Sequence, residues 1–105
     1  MSKNTVRIGY VIASNRVAVE RQPVRYMYRE APDGKDDSGW RFFAGTEDQA
    51  YTDVPENFAM YNCATILEID PSIRAYLDYP PGSAFERLDA SVPFQQIPFE
   101  PDGEE

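Results

Sequence analysis

A chain of 105 residues, 42% of them hydrophobic, has the size of one globular domain with a single core. Its formal charge of -8, from 18 acidic and 10 basic residues, argues against phosphate backbones and anionic membrane surfaces as partners, since both need Lys and Arg. With no histidine and only one cysteine, Cys63, the chain lacks Ser-His-acid and Cys-His nucleophile systems, His-bearing zinc sites, thiolate cages and internal disulfides.

The first residues, MSKNTVRIGY, hold no long apolar segment of a signal peptide, and no apolar run approaches a membrane span. A soluble cytoplasmic protein is expected. In VRIGYVIA, Val6, Ile8, Tyr10 and Ile12 share one face of a half-buried strand. SNR signals a turn, and VAV reads as the start of a second short strand. PVRYMYRE alternates again, with Val24, Tyr26 and Tyr28 on one side, and Pro23 fits the beginning of that strand. APDGKDDSG is a polar loop. In WRFFA, Trp40 and Phe42 face one way and Arg41 and Phe43 the other, so this strand should lie centrally or beneath helices.

The period then changes. Asp53 and Glu56 resemble a capping box, with Pro55 in the first turn and ENFAMYN as a short helix. CATILEI suits either element and is read as helical. In DPSIRAYLDYPP, Asp70 is an N-cap and Pro71 the first helical residue, while Ile73, Tyr76 and Leu77 line one face. GSAFERL is the final strand. SVPFQQIPFEPDGEE, with three prolines and an acidic end, reads as an extended tail whose Phe94, Ile97 and Phe99 dock. The expectation is an α+β fold: a mainly antiparallel sheet with two or three short helices on one face. Residues 1–92 form the domain and 93–105 the proline-rich acidic tail.

Neither a P-loop nor a dinucleotide-binding glycine fingerprint is present. DGKDDSG fails as a calcium loop: with Gly39 at the sixth position, Gly34 and Gly45 stand where carboxylates belong. No cofactor, metal ligand or catalytic residue is assigned. The enzyme reading that survives is a carboxylate hydrolase pairing Asp36 or Asp37 with Glu47 or Asp48. Cys63 reads as a small core residue, and Tyr26, Tyr28, Tyr76 and Tyr79 as core candidates.

Charge is unevenly spread. From Asp33 to Glu56, the carboxylates Asp33, Asp36, Asp37, Glu47, Asp48, Asp53 and Glu56 face only Lys35 and Arg41. They fence DSGWRFFAGTED, whose Trp40 is either wholly core or partly exposed at the strand entrance. YMYREAP, DSGWRFFAGTEDQAY and ILEIDPSIRAYLDYPPGSAFER stand in the order and spacing of a bacterial family, and over residues 10–88 the chain resembles immunity protein thirty-three. The resemblance implies an α+β domain, not an enzyme, that binds and neutralises a cognate protein toxin of a polymorphic toxin system. An acidic chain suits a basic nuclease as that toxin. The expected contacts are Asp36, Asp37, Ser38, Glu47, Asp48, Tyr51 and Asp53, with Trp40. The alternative is a small-ligand or regulatory module in which Arg29 or Arg87 holds an anionic group.

Overall fold

Trp40 and Phe42 are both 0% exposed, and the strand that carries them runs through the middle of the sheet. The computed structural model of the protein describes residues 9–99. In chain order the elements are β1 (Tyr10–Ser14), α1 (Asn15–Ala18), β2 (Tyr26–Arg29), β3 (Asp37–Phe43), α2 (Gln49–Thr52), β4 (Phe58–Asn62), α3 (Cys63–Ile69), β5 (Ser83–Glu86) and β6 (Gln95–Ile97). Two 3-10 turns, Pro55–Asn57 and Pro71–Tyr76, precede β4 and follow α3. The six strands form one sheet in the order β4-β1-β3-β2-β5-β6. Only β1 and β3 run parallel; every other neighbouring pair is antiparallel. Among the described residues, no helix is long and apolar enough to cross a membrane.

One face of the sheet is the core. Val11, Ala13, Met27, Trp40, Phe42 and Phe85 project from it and are packed by Val17 of α1, Cys63 and Ile66 of α3, and Ile73 and Leu77 beyond. The Trp40 and Phe42 rings stack at 6.0 Å, and the indole Nε1 donates to the Leu77 carbonyl at 3.2 Å, so the one polar atom of this ring is satisfied inside. Asp70 locks the helical layer to the sheet. One carboxylate oxygen caps the 3-10 turn by accepting from the Ser72 amide and hydroxyl. The other accepts from the Val24 amide at 3.0 Å and from Arg87 at 2.6 Å.

The entry to β3 is bent, and the bend explains the DSGW string. Tyr10 lies opposite Asp37, yet Ile12, two residues further, lies opposite Arg41, four residues further. The surplus on β3 is a bulge. Gly39 sits in it at φ 91°, and a Cβ there would fall 2.3 Å from the Glu30 carbonyl oxygen. Ser38 Oγ accepts from the Trp40 amide and Asp37 Oδ1 from the Gly39 amide, which satisfies backbone donors that the ladder has lost.

Several expectations need correction. ENFAMYN is a 3-10 turn followed by β4, because five residues of it find ladder partners on β1 and that pairing outweighs the local helical pattern. Asp53 closes α2 instead of opening a helix; Asp48 is the true cap, accepting from the Tyr51 amide at 2.9 Å. VAV belongs to α1, which Ser14 caps, and Val17 is its buried anchor. In β1 the buried residues are Val11 and Ala13, while Tyr10 and Ile12 face the other side; Val6 and Ile8 lie outside the described residues. In β2 the core residue is likewise Met27, not Tyr26 or Tyr28. Other readings hold: β3 is central and two-sided, CATILEI is helical, Asp70 caps, and the fold is α+β. Of the expected tail, Gln95–Ile97 pair with β5, and Phe94 is buried beneath the Arg87 guanidinium.

Because Gly39 combines a left-handed backbone with a contact closed to any Cβ, Gly39→Ala should cost about 3 kcal/mol or prevent folding. Gly34→Ala, where a Cβ meets nothing within 4 Å, should leave the urea midpoint nearly unchanged.

Candidate functional site

The helices α1 and α3 cover one face of the sheet, and the other face carries a belt of rings. Tyr28 and Tyr26 of β2 stand opposite Arg41 and Phe43 of β3. Ring centroids step from Phe99 to Tyr28 at 5.6 Å, from Tyr28 to Phe43 at 5.8 Å, from Phe43 to Phe58 at 5.8 Å, and from Phe58 to Tyr51 at 5.9 Å. The rings are half-buried and propped against one another. Tyr26, Tyr28, Phe43 and Phe58 floor a groove of about 1250 Å³, walled on one side by α2 and on the other by the 88–95 segment, where Leu88 is 80% exposed. Carboxylates of Glu47, Asp53 and Glu86 line it. Burial, and then the Glu86 carboxylate, raises the Tyr26 phenol above its ordinary value, so it stays a neutral donor across the physiological range.

The acidic residues around β3 fall into two groups that the fold keeps apart. Asp36, Asp37 and Ser38 lie at its start, while Glu47, Asp48, Tyr51 and Asp53 lie beyond its end. Asp36 is exposed. Asp37 is buried: it grips Arg41 through both oxygens, at 2.9 and 2.8 Å, and accepts from the Asp33 and Gly39 amides. The hydrogen bond from Arg41 holds its carboxyl far below the usual range, despite burial. Arg41 is completed by Glu30 at 2.6 Å. Ser38 is buried in the bulge, and Trp40 lies wholly within the core.

At the other end, Glu47 is a loop organiser. It accepts from the Ser14 hydroxyl and from the Ala44 and Gly45 amides. Burial by itself would raise its carboxyl, but these donors outweigh it and lower it. Asp48 caps α2 and is exposed; Asp53 is exposed and accepts from Gln49 at 2.8 Å. Tyr51 is half-buried, with the Arg16 guanidinium 4.3 Å above its ring. Four of the expected contacts are thus brought together along the α2 wall.

Arg29 and Arg87 are both engaged internally. Arg29 donates to the carbonyls of Ser38 and Tyr79, each at 2.8 Å, and lies over Trp40. Arg87 pairs with Asp70 and donates twice to the Val24 carbonyl. Burial pushes the Cys63 thiol up to about 11, which keeps it protonated and inert. The groove's Tyr26, Tyr28, Phe43, Phe58 and Arg25 were missed as site residues. Their signal was the alternation of PVRYMYRE and WRFF, read for period but with Tyr26 and Tyr28 assigned to the core.

Removing the Asp37 carboxylate would leave the buried Arg41 with Glu30 alone, so Asp37→Asn should cost about 3 kcal/mol at pH 7. The lowered carboxyl gives a definite sign. Its stabilisation is complete above the ordinary Asp value near pH 4 and fades as the pH falls towards the much lower folded value. Chemical denaturation of the two proteins should therefore show a gap that is constant from pH 7 to 5 and narrows progressively below pH 4.

Comparison with known proteins bears on this geometry. No curated protein and no solved structure matches the chain. The sequence does match the family described as Immunity protein Imm33 domain, over residues 11–98. That span runs from the second residue of β1 to the residue after β6, taking in the bulge, the Asp70 clamp and the aromatic belt from Tyr28 to Tyr51, and the chain belongs to the Imm33 immunity protein domain family.

Proposed function

We propose that this chain is an immunity protein that binds a cognate bacterial toxin in the cytoplasm and neutralises it by covering its active surface, without bond-breaking of its own. Family membership supports an immunity role. The observation that carries the rest is the belt from Phe99 to Tyr51, a half-buried aromatic face of the sheet. Half-exposed rings on a rigid sheet offer large contact area at small entropic cost, the usual composition of a protein–protein anchor.

Charge supplies the second half of the reading. A chain of net charge -8 attracts a basic partner over several ångströms, and a basic nuclease is the toxin class that fits. The exposed carboxylates Asp48 and Asp53, with Glu86 across the groove, would form the rim, and Asp36 would act at longer range. Asp37, Ser38 and Trp40 would contribute by holding β3 in shape. Glu47 would do so by holding the loop before α2.

Co-expression with the toxin encoded beside its gene tests this directly: cells should survive, and the purified pair should associate. Cell death together with no association at low salt refutes the reading. Within a complex, Tyr26→Ala should weaken affinity roughly tenfold or more, mainly through faster dissociation. Asp36→Asn combined with Asp53→Asn should instead slow association roughly three- to tenfold at low salt, an effect that vanishes at high salt.

A further inference from the structure

The two edges of the sheet are built differently. β6 is three residues long and flanked by Pro93 and Pro98, two of the devices that close a sheet edge. β4, FAMYN, is five residues long with no charge and no proline, and its Met60 is 64% exposed. Among the described residues no strand lies beyond it. The direction of its backbone groups follows from β1. The Tyr10 amide donates to the Asp36 carbonyl on the β3 side, so Tyr10 and Asn62 face each other without exchanging ladder bonds. Bonded and non-bonded pairs alternate along antiparallel strands. Ala59 and Tyr61 therefore bond to Ala13 and Val11, while the N–H and C=O groups of Phe58, Met60 and Asn62 point off the sheet. Two of these groups are already used: the Phe58 amide donates to the Pro55 carbonyl, and the Asn62 carbonyl starts the bonding of α3 as its N-cap. The Met60 amide and carbonyl, the Asn62 amide and the Phe58 carbonyl have no partner among the described residues.

We propose that this edge binds a second copy of the chain, the two β4 strands running antiparallel about a two-fold axis at Met60. In that register Met60 faces Met60 of the second copy, Phe58 faces Asn62 and Ala59 faces Tyr61. The two Met60 residues exchange two hydrogen bonds, and each Asn62 amide donates to the Phe58 carbonyl across the seam. The four unanswered groups of one copy are thus matched by the four of the other. The Phe58 amide and the Asn62 carbonyl, which are already engaged, fall opposite each other and require nothing. Side chains match as well: exposed Ala59 leaves room for half-buried Tyr61 on the helical side, and the methionines meet on the belt side. Charge is compatible at the seam, where Glu56, just before β4, faces Ala64 and not another acid. At long range the net charge of -8 on each copy opposes association. An axis perpendicular to the sheet keeps both belts on one side, so the dimer carries two grooves on a single surface. None of this depends on the immunity reading.

Sedimentation equilibrium of the full-length chain tests this between about 10 µM and about 1 mM, the range suited to a small interface. The average mass should climb from 12.0 kDa towards twice that value. Raising sodium chloride from about 50 to about 500 mM should tighten the dimer several-fold, because salt screens the repulsion between two acidic copies. Met60→Lys and Met60→Glu each place like charges face to face at the axis and should weaken association about tenfold or more. An equal mixture of the two variants should recover it, since opposite charges then meet. Met60 is exposed, so both variants stay folded, which melting curves check. In the wild-type chain, hydrogen exchange at the Met60 and Asn62 amides should slow as concentration rises. A mass fixed at 12.0 kDa in both salts overturns the inference. So does association that ignores both variants, a mixture no better than either variant alone, or concentration-dependent protection that omits the Met60 amide.

Discussion

The buried pair between Asp37 and Arg41 is the constraint around which the rest of the structure is arranged. In a straight strand, residues four apart share a face but lie roughly 13 Å from each other. Here their charged groups meet at 2.8 Å, because the bulge at Gly39 shortens the path between them. The pair in turn makes the bulge rigid, since Asp37 also accepts the Asp33 and Gly39 amides. Two consequences follow from that geometry. Trp40 and Phe42 are aimed into the core, and Arg41 and Phe43 are delivered to the opposite face beside Tyr28 and Tyr26.

A sheet covered on one side only then divides the labour between its faces. The helical layer, clamped by Asp70 to Val24 and Arg87, absorbs the apolar residues that stability requires. The other side holds half-buried rings that support each other laterally, which keeps them ordered. Such a surface is already organised before any partner arrives, and little ordering entropy remains to be lost on association. It also explains why an apolar stretch should be fenced by carboxylates. One fence, Asp37, is an internal lock; the other, Glu47, shapes the loop that leads into the α2 wall.

The strings that carry the family resemblance are mostly scaffold. DSGW builds the bulge, the aspartate of DPSI is the hub of the clamp, and the arginine of SAFER is its partner. Partner choice would lie with side chains on the open face and along its walls, where substitution leaves the lock and the clamp intact.

What the sequence determined by itself was whatever neighbouring residues decide. The two-sided alternation of WRFF made β3 a central strand, the Asp70-Pro71 pair marked a helical start, and the absence of histidine closed whole classes of chemistry. Only the tertiary structure decided which way the faces turned. FAMYN became a strand because β1, far away in the chain, offered it a ladder, and Tyr26 and Tyr28 came to face outward because Met27 filled the core position between them. The same holds for charge. Period and capping depend on residues within a turn of one another, whereas the partners of Arg29 and Arg87 are set by contacts across the sheet, and composition carries no record of those.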